Sequence, residues 1–222
     1  MLHYSGTPIA ALKLDTIRVE KPWGRRTLPP PFGAPDVQLA NPVGEIWFEM
    51  PGRRLDLMIK YIFTSEKLSI QVHPSDDQAR GDGHRHGKEE CWYILDAEPG
   101  ASVGIGTTQP LSGSELADAC RSGEIEALME WIPVKAGDFF YIPAGTIHAI
   151  GVGISLVEIQ QNADITYRLY DYGRPRELHL ERGIDVANAR PYPDAMRRHI
   201  SLDTPVSLVD GSKFNLSIAH EA

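Results

Sequence analysis

The sequence predicts a mainly β chain, rolled into a barrel or a double-sheet jelly roll. Short alternating stretches recur along most of the 222 residues and are separated by turn residues. Twenty glycines and 17 prolines supply many turns, as short strands need and long helices do not. One clear helix signature stands out, beginning at Ser112, with Glu115 at capping-box spacing and Gly123 suited to the C-terminal cap.

In chain order, residues 11–20 alternate as an early strand, and Lys21-Pro22-Trp23-Gly24-Arg25-Arg26 breaks it. The proline-rich stretch 28–36 reads as a loop. Gly44 to Met50 and Leu55 to Phe63 are strands, with a turn near 64–67. Leu68-Ser69-Ile70-Gln71-Val72-His73-Pro74 alternates, so Ser69, Gln71 and His73 share one face while Leu68, Ile70 and Val72 face packing. Residues 75–88 are polar and glycine-rich and read as a mobile loop. Glu89 to Leu95 is a strand with Glu90, Trp92 and Ile94 on one face. Residues 101–106 form another short strand, and 124–130 a short helical turn. Strands return at 139–142, 147–150 and 154–160, the last placing Leu156, Glu158 and Gln160 on one face. Thr166, Arg168 and Tyr170 share a face if extended. Residues 173–200 are rich in charge and proline, and 201–220 return a strand or two to the sheet. Trp23 and Trp47 are expected to pack the barrel, and Lys21, Arg25 and Arg26 to form a solvated cluster.

The totals exclude several classes. A net charge of −8 argues against a nucleic-acid surface, though not against an anionic small substrate met by a few local cations. No apolar run approaches the ~18 residues of a membrane span. The N-terminal residues lack a basic start followed by an apolar core, so no secretory signal is read there. Cys91 and Cys120 have neither metal nor redox spacing, and a reduced, cytoplasmic setting is the simpler expectation.

A metal centre needs donors that converge from strands fixed in space. His73, Glu90 and His148 offer two imidazoles and a carboxylate, all near strand ends, and Gln71 adds an amide oxygen beside His73. Mixed nitrogen and oxygen ligation suits zinc, and also iron, manganese, cobalt or nickel. Adjacent strand residues point oppositely, so one of Glu89 and Glu90 enters the site, and register with Trp92 favours Glu90. His84 and His86 read as a solvated loop, and His3, His179, His199 and His220 show no constellation.

Gly137, five residues, then Pro143-Ala144-Gly145-Thr146-Ile147-His148 resembles the second conserved motif of the cupin superfamily. Gln71-Val72-His73-Pro74, Lys88-Glu89-Glu90-Cys91-Trp92-Tyr93, and Glu158-Ile159-Gln160-Gln161 through Thr166-Tyr167-Arg168 resemble type I mannose-6-phosphate isomerases, in one order over roughly residues 10–190. The resemblance implies a cupin double-stranded β-helix and one zinc ion per chain held by Gln71, His73, Glu90 and His148. Lys88 matches the lysine two residues before the ligand carboxylate, and Arg168 the arginine that faces the sugar. Glu158 and Asp164 match acidic positions after the ligand histidine, and Ser69 a serine near the phosphate. Two departures stand out. Bacterial members of the family usually continue into a second β domain, whereas this chain stops at Ala222, so a single catalytic domain over 1–222 is expected. A His84-Arg85-His86 insertion also precedes Lys88.

The implied reaction is aldose–ketose isomerisation through an enediol, interconverting mannose 6-phosphate and fructose 6-phosphate. It needs a base to move a proton between C2 and C1 and positive charge at the developing oxyanion. Arg168 and Lys88 supply cations, and the base is open among Glu158, Asp164 and Lys88. The expected partner is a small sugar phosphate, with no nucleic acid and no membrane, in a monomer or homodimer. Two other readings stand beside this one: an iron-dependent cupin oxygenase using His73, Glu90 and His148, and a cupin that binds sugar phosphate without turnover.

Overall fold

The computed structural model describes residues 12–34, 36–201 and 203–219. His3, His220 and the first residue of the expected 11–20 strand lie outside them. The first strands are β1 (Asp15–Arg25), β2 (Val43–Glu49), β3 (Leu57–Phe63) and β4 (Ile70–Val72), followed by helix α1 (Asp76–Gly81). Next come β5 (Glu90–Ala97), β6 (Ser102–Thr107), helices α2 (Gly113–Ser122) and α3 (Ile125–Leu128), and β7 (Met129–Pro133). Strands β8 (Asp138–Ile142), β9 (His148–Ile150), β10 (Ile154–Gln161) and β11 (Tyr167–Tyr170) lead to helix α4 (Leu180–Val186). The chain closes with β12 (Arg197–His199), β13 (Val206–Asp210) and β14 (Asn215–Ile218).

These strands make the expected double sheet. One sheet has seven strands in the order β1-β2-β3-β10-β5-β8-β12, and the other has five in the order β11-β4-β9-β6-β7. The strand pairs are antiparallel. Period-two alternation sorts the side chains into layers. Trp92 and Ile94 of β5, Phe140 and Ile142 of β8, and Leu156 of β10 face Val103 and Ile105 of β6 and Ile150 of β9, forming the core between the sheets. Ile70, Val72 and Ala149 point the other way, under Leu116 and Cys120 of α2. Cys91 and Phe139 back the large sheet and are covered by Val209 and Phe214.

Five local expectations change. β1 runs on to Arg25 through the Lys21–Arg25 stretch expected to break it, its register against β2 shifting there instead. Residues 75–88 are not loop throughout, because Ser75 caps α1 in a reciprocal capping box with Gln78. That Ser-x-x-Gln spacing lies inside a glycine-rich run, whose composition hides it. Residues 180–186 form α4 within the charged, proline-containing stretch. Strands β13 and β14 pair with each other and join neither sheet. The Thr166-Arg168-Tyr170 face is broken by a bulge between Arg168 and Tyr170, so Tyr170 turns out to pack beside α2 and α4. The α2 capping box and the left-handed Gly123 cap form as expected. Cys91 and Cys120 are free and buried. No helix among the described residues is long and apolar enough to cross a membrane.

Candidate metal centre and active site

The inner faces of both sheets are apolar at one end and polar at the other. Antiparallel pairing brings this about: β5 starts at Glu90 and continues through Trp92 and Ile94, while β10 runs from Ile154 and Leu156 to Glu158 and Gln160. Register then sets Glu90 opposite Gln160 and Trp92 opposite Glu158. In the smaller sheet Gln71 of β4 pairs with His148 of β9 on one side and Arg168 of β11 on the other. Gly145 turns the chain into β9 at φ +84°, a conformation open to glycine, and its N–H donates to the carbonyl of His73 at 2.8 Å. That bond ties the loop before His148 to the end of the strand that carries His73.

His73, Glu90 and His148 converge as the sequence predicts, with candidate ligand atoms within 4.8 Å of one another. Each imidazole Nε2 lies 3.4 Å from a different Glu90 oxygen. The outer ring nitrogens are fixed: His73 Nδ1 lies 2.9 Å from the Ile165 carbonyl and His148 Nδ1 2.8 Å from that of Thr146. A carbonyl only accepts, so both Nδ1 atoms carry hydrogen and both Nε2 lone pairs point at the shared space. Burial, then the Lys88 charge, brings His73 down to about 3, and burial lowers His148 as well. Burial opposes ionising Glu90, but Lys88 and the flanking His73 and His148 together outweigh it and hold the carboxyl well below its usual range. Two neutral imidazoles and a carboxylate are the protonation states a divalent ion requires.

The donor set fits a metal on a second observation. The Lys88 ammonium sits 2.5 Å from Glu90 Oε2 and 3.0 Å from His73 Nε2, a cation standing among the proposed ligands. Gln71 completes the set by position, its Nε2 lying 3.3 Å from His148 Nε2 while Ser69 Oγ donates to its Oε1 at 3.2 Å. Amide oxygen and nitrogen are told apart by partners alone. A half-turn of this amide presents its oxygen to the imidazole side and frees the Ser69 hydroxyl hydrogen.

Beside the metal group lies a cavity of about 190 Å³, lined by Ser69, Gln71, Lys88, Glu158, Asp164 and Arg168 among others. Every sequence-predicted site residue is therefore at the centre or on this cavity. Their depths differ. Lys88 and Glu158 are buried, whereas Asp164 is exposed at the rim. Glu89 points outward and accepts from the Tyr141 hydroxyl. His84 is exposed and stands apart from the metal group.

Sequence reasoning missed a second charged layer. Lys60 Nζ lies 2.8 Å from Glu158 and 3.8 Å from Glu45, and all three are buried. Burial disfavours the Lys60 charge, but Glu158 and Glu45 overcome it and raise the ammonium above its usual range. Trp92 Nε1 donates to both Glu90 at 3.1 Å and Glu158 at 3.0 Å, linking the metal group to this layer. Trp47 donates to Glu45 at 2.7 Å and lines the cavity rather than packing the core. Lys21, expected to be solvated, lines it too. The available signal was a lysine inside the apolar run of β3 and a glutamate in step with Trp47 on β2.

No protein-family model matches the chain. A mannose-6-phosphate isomerase of Bacillus subtilis is 41% identical over 158 residues, 68% of this chain and 50% of that protein. The chain spans about half the length of the curated relatives it matches. The crystal structure of the mannose 6-phosphate isomerase from Bacillus subtilis superposes with a TM-score of 0.77 and 30% identity, covering 92% of this chain and 78% of that one. A zinc-bound mannose 6-phosphate isomerase shares the fold at a TM-score of 0.66 and 14% identity, over 92% of this chain and 82% of that one. With this cupin double sheet and its His-Glu-His group in place, the chain belongs to the mannose-6-phosphate isomerase family.

Proposed function

We propose that this chain interconverts mannose 6-phosphate and fructose 6-phosphate through an enediol, with zinc held by Gln71, His73, Glu90 and His148. The observation that carries the proposal is the convergence of His73, Glu90 and His148 beside a cavity lined by cations and carboxylates. The names of the relatives supply the substrate, and the zinc-bound relative supplies the choice of metal. When bound, a divalent ion polarises the sugar carbonyl and steadies negative charge on its oxygens without redox chemistry.

The chain's own residues do the rest. Isomerisation moves one proton from C2 to C1 and a second from O2 to O1, with negative charge on these oxygens along the way. Glu158 is the group best placed to move the carbon-bound proton. It is buried, lines the cavity, and its carboxylate is fixed by Lys60 on one oxygen and Trp92 on the other. Asp164, exposed at the rim, has water as a competing partner. Lys88 lies between Glu90 and His73 and 3.6 Å from Glu158, so its charge faces the centre where an oxyanion would develop. Arg168 and Ser69 line the same cavity and hold the substrate from the β11–β4 side.

The test is turnover of mannose 6-phosphate by zinc-loaded protein, read as fructose 6-phosphate formed and as solvent deuterium entering C1 of that product. Product and exchange together are expected. Binding with neither would leave a sugar-phosphate binder. Oxygen uptake by iron-containing protein would give the site to an oxygenase. Either outcome sinks the isomerase.

A further inference from the structure

The hairpin of β13 and β14 belongs to neither sheet, and the isomerisation steps make no use of it. It backs the seven-stranded sheet, where Val209 and Phe214 are buried against Cys91 of β5 and Phe139 of β8. Successive residues of a strand point to opposite sides. Cys91 therefore rests on the hairpin while its neighbours Glu90 and Trp92 face the barrel interior. Arg198 of β12 fastens β13, its Nη2 donating to the carbonyls of Ser207 and Leu208 at 2.6 Å each.

The turn of the hairpin reaches the segment that carries Lys88 by two routes. Lys213 Nζ lies 2.6 Å from Asp76 Oδ2. Asp76 Oδ1 accepts from the Gly87 backbone at 2.9 Å and from Gln161 Nε2 at 3.1 Å. Gln161 Oε1 in turn accepts from the Glu89 backbone at 3.0 Å. The residues on both sides of Lys88 are thus held through one carboxylate, and the hairpin holds that carboxylate. In the second route Phe214 stands edge-on to Tyr141, ring centroids 6.3 Å apart, and the Tyr141 hydroxyl donates to Glu89. This route keeps the hairpin seated when Lys213 is changed.

The Lys213–Asp76 pair adds little to stability, because its side chains are 28% and 17% exposed. Its placement matters more. Residues 82–89 belong to no helix or strand, so no ladder sets their position. Yet Lys88 Nζ sits 2.5 Å from Glu90, 3.0 Å from His73 and 3.6 Å from Glu158, a geometry its backbone has to hold.

We propose that Lys213 is a positioning residue for Lys88: from outside the barrel it holds Asp76, and through Asp76 the backbone on both sides of Lys88. The hairpin is then a latch on the active site as well as a cover for the sheet. The assignment rests on the isomerase reading for what Lys88 does, and on geometry alone for how Lys88 is held.

Lys213→Met, Asp76→Asn and the double variant of the zinc-loaded chain test it, by turnover and by amide hydrogen exchange. Lys213→Met is expected to lower kcat about tenfold, since a displacement of roughly 1 Å caused far from the chemistry costs up to ~10². KM is expected to change by less than about twofold, because Lys213 does not line the cavity. Exchange quickens at the Gly87 and Glu89 amides and stays slow at Trp92 and Ile94. Zinc content and near-UV circular dichroism stay as in the original chain. Lys213→Arg keeps the pair and recovers most of kcat. The double variant loses no more kcat than Asp76→Asn alone, because Lys213 acts through Asp76.

Exchange at Gly87 and Glu89 as slow in Lys213→Met as in the original chain overturns the assignment, whatever kcat does. Additive losses of kcat in the double variant overturn it too, as does an unaltered kcat in Lys213→Met. Exchange that quickens along all of β5 would make Lys213 a general support of the sheet and equally end the assignment. If the original chain turns over no hexose phosphate, faster exchange confined to Gly87 and Glu89 upholds the latch while the isomerase falls. Intact turnover with slow exchange there does the reverse.

Discussion

Lys60 is tolerated inside a β-barrel wall because two carboxylates meet it there. Removing one partner of a buried ion pair costs about 3–5 kcal/mol, most of it the stranded charge. Lys60→Met is expected to lower the free energy of unfolding by about that amount in urea titrations. The Lys60→Met/Glu158→Gln double variant should recover a substantial part, since a neutral amide needs no ammonium. Strictly additive losses would show the pair to be energetically independent. Glu158→Gln alone tests the chemistry: kcat is expected to fall by about 10²–10⁴, the usual contribution of a general base, while zinc content stays unchanged. An unaltered kcat would pass the proton transfer to Asp164 or Lys88. The sequence made His73, Glu90 and His148 legible because each sits in a short motif at a strand end. Lys60 and Glu45 belong to no local motif. Their meaning comes from β2, β3 and β10 being neighbours, which a single sequence does not state.

At the scale of elements, α1 and the segment after it act as a brace for Lys88. Asp76, at the start of α1, accepts from the Gly87 backbone at 2.9 Å, from Gln161 at 3.1 Å and from Lys213 at 2.6 Å. A Cβ on Gly87 would come within 2.4 Å of the Pro74 carbonyl, so the backbone there passes too close for any side chain. Burial works against ionising Asp76, but the bonds from Lys213, Gly87 and Gln161 prevail and bring it down to about 2. An unfolded aspartate titrates near ~3.9. The folded chain thus holds its proton more weakly, and this stabilisation is complete above about pH 4 and lost as pH falls towards 2. Asp76→Asn is expected to be less stable at pH 7 and to lose less stability between pH 4 and pH 2. Parallel stability curves for the two proteins would show that the brace carries no such linkage. Ser75→Ala should cost about 1 kcal/mol through the lost cap, with zinc retained. Strands were readable here because alternation is a local signal. The helix was not, because glycines and charges masked a four-residue capping pattern.

Across the whole molecule, the polar end of the barrel and its apolar core are separate stores of order. The core joins Trp92, Ile94, Val103, Ile105 and Leu156 from both sheets, and further apolar layers back each sheet from outside. Trp92 belongs to both the core and the polar end, its Nε1 donating to Glu90 and its ring standing edge-on to His148, while the other named core residues join apolar side chains to one another. This differs from a small zinc module, where the ion is the fold. An ion present at about 100 times its dissociation constant adds roughly 2.7 kcal/mol, by mass action alone. For a chain of this size each kcal/mol moves Tm by roughly 2–4 °C. Chelation is therefore expected to abolish turnover, lower Tm by roughly 5–10 °C, and leave far- and near-UV circular dichroism unchanged at 25 °C. His148→Ala should behave as the chelated chain does, with near-zero zinc content and no further Tm response to added metal. Double-sheet architecture was legible from turn spacing and alternation, but this division was not, since it depends on which end of each strand faces which. A chelated chain that unfolds at 25 °C would show that the ligands hold the two sheets together, and the separation argued from the core layers would fail.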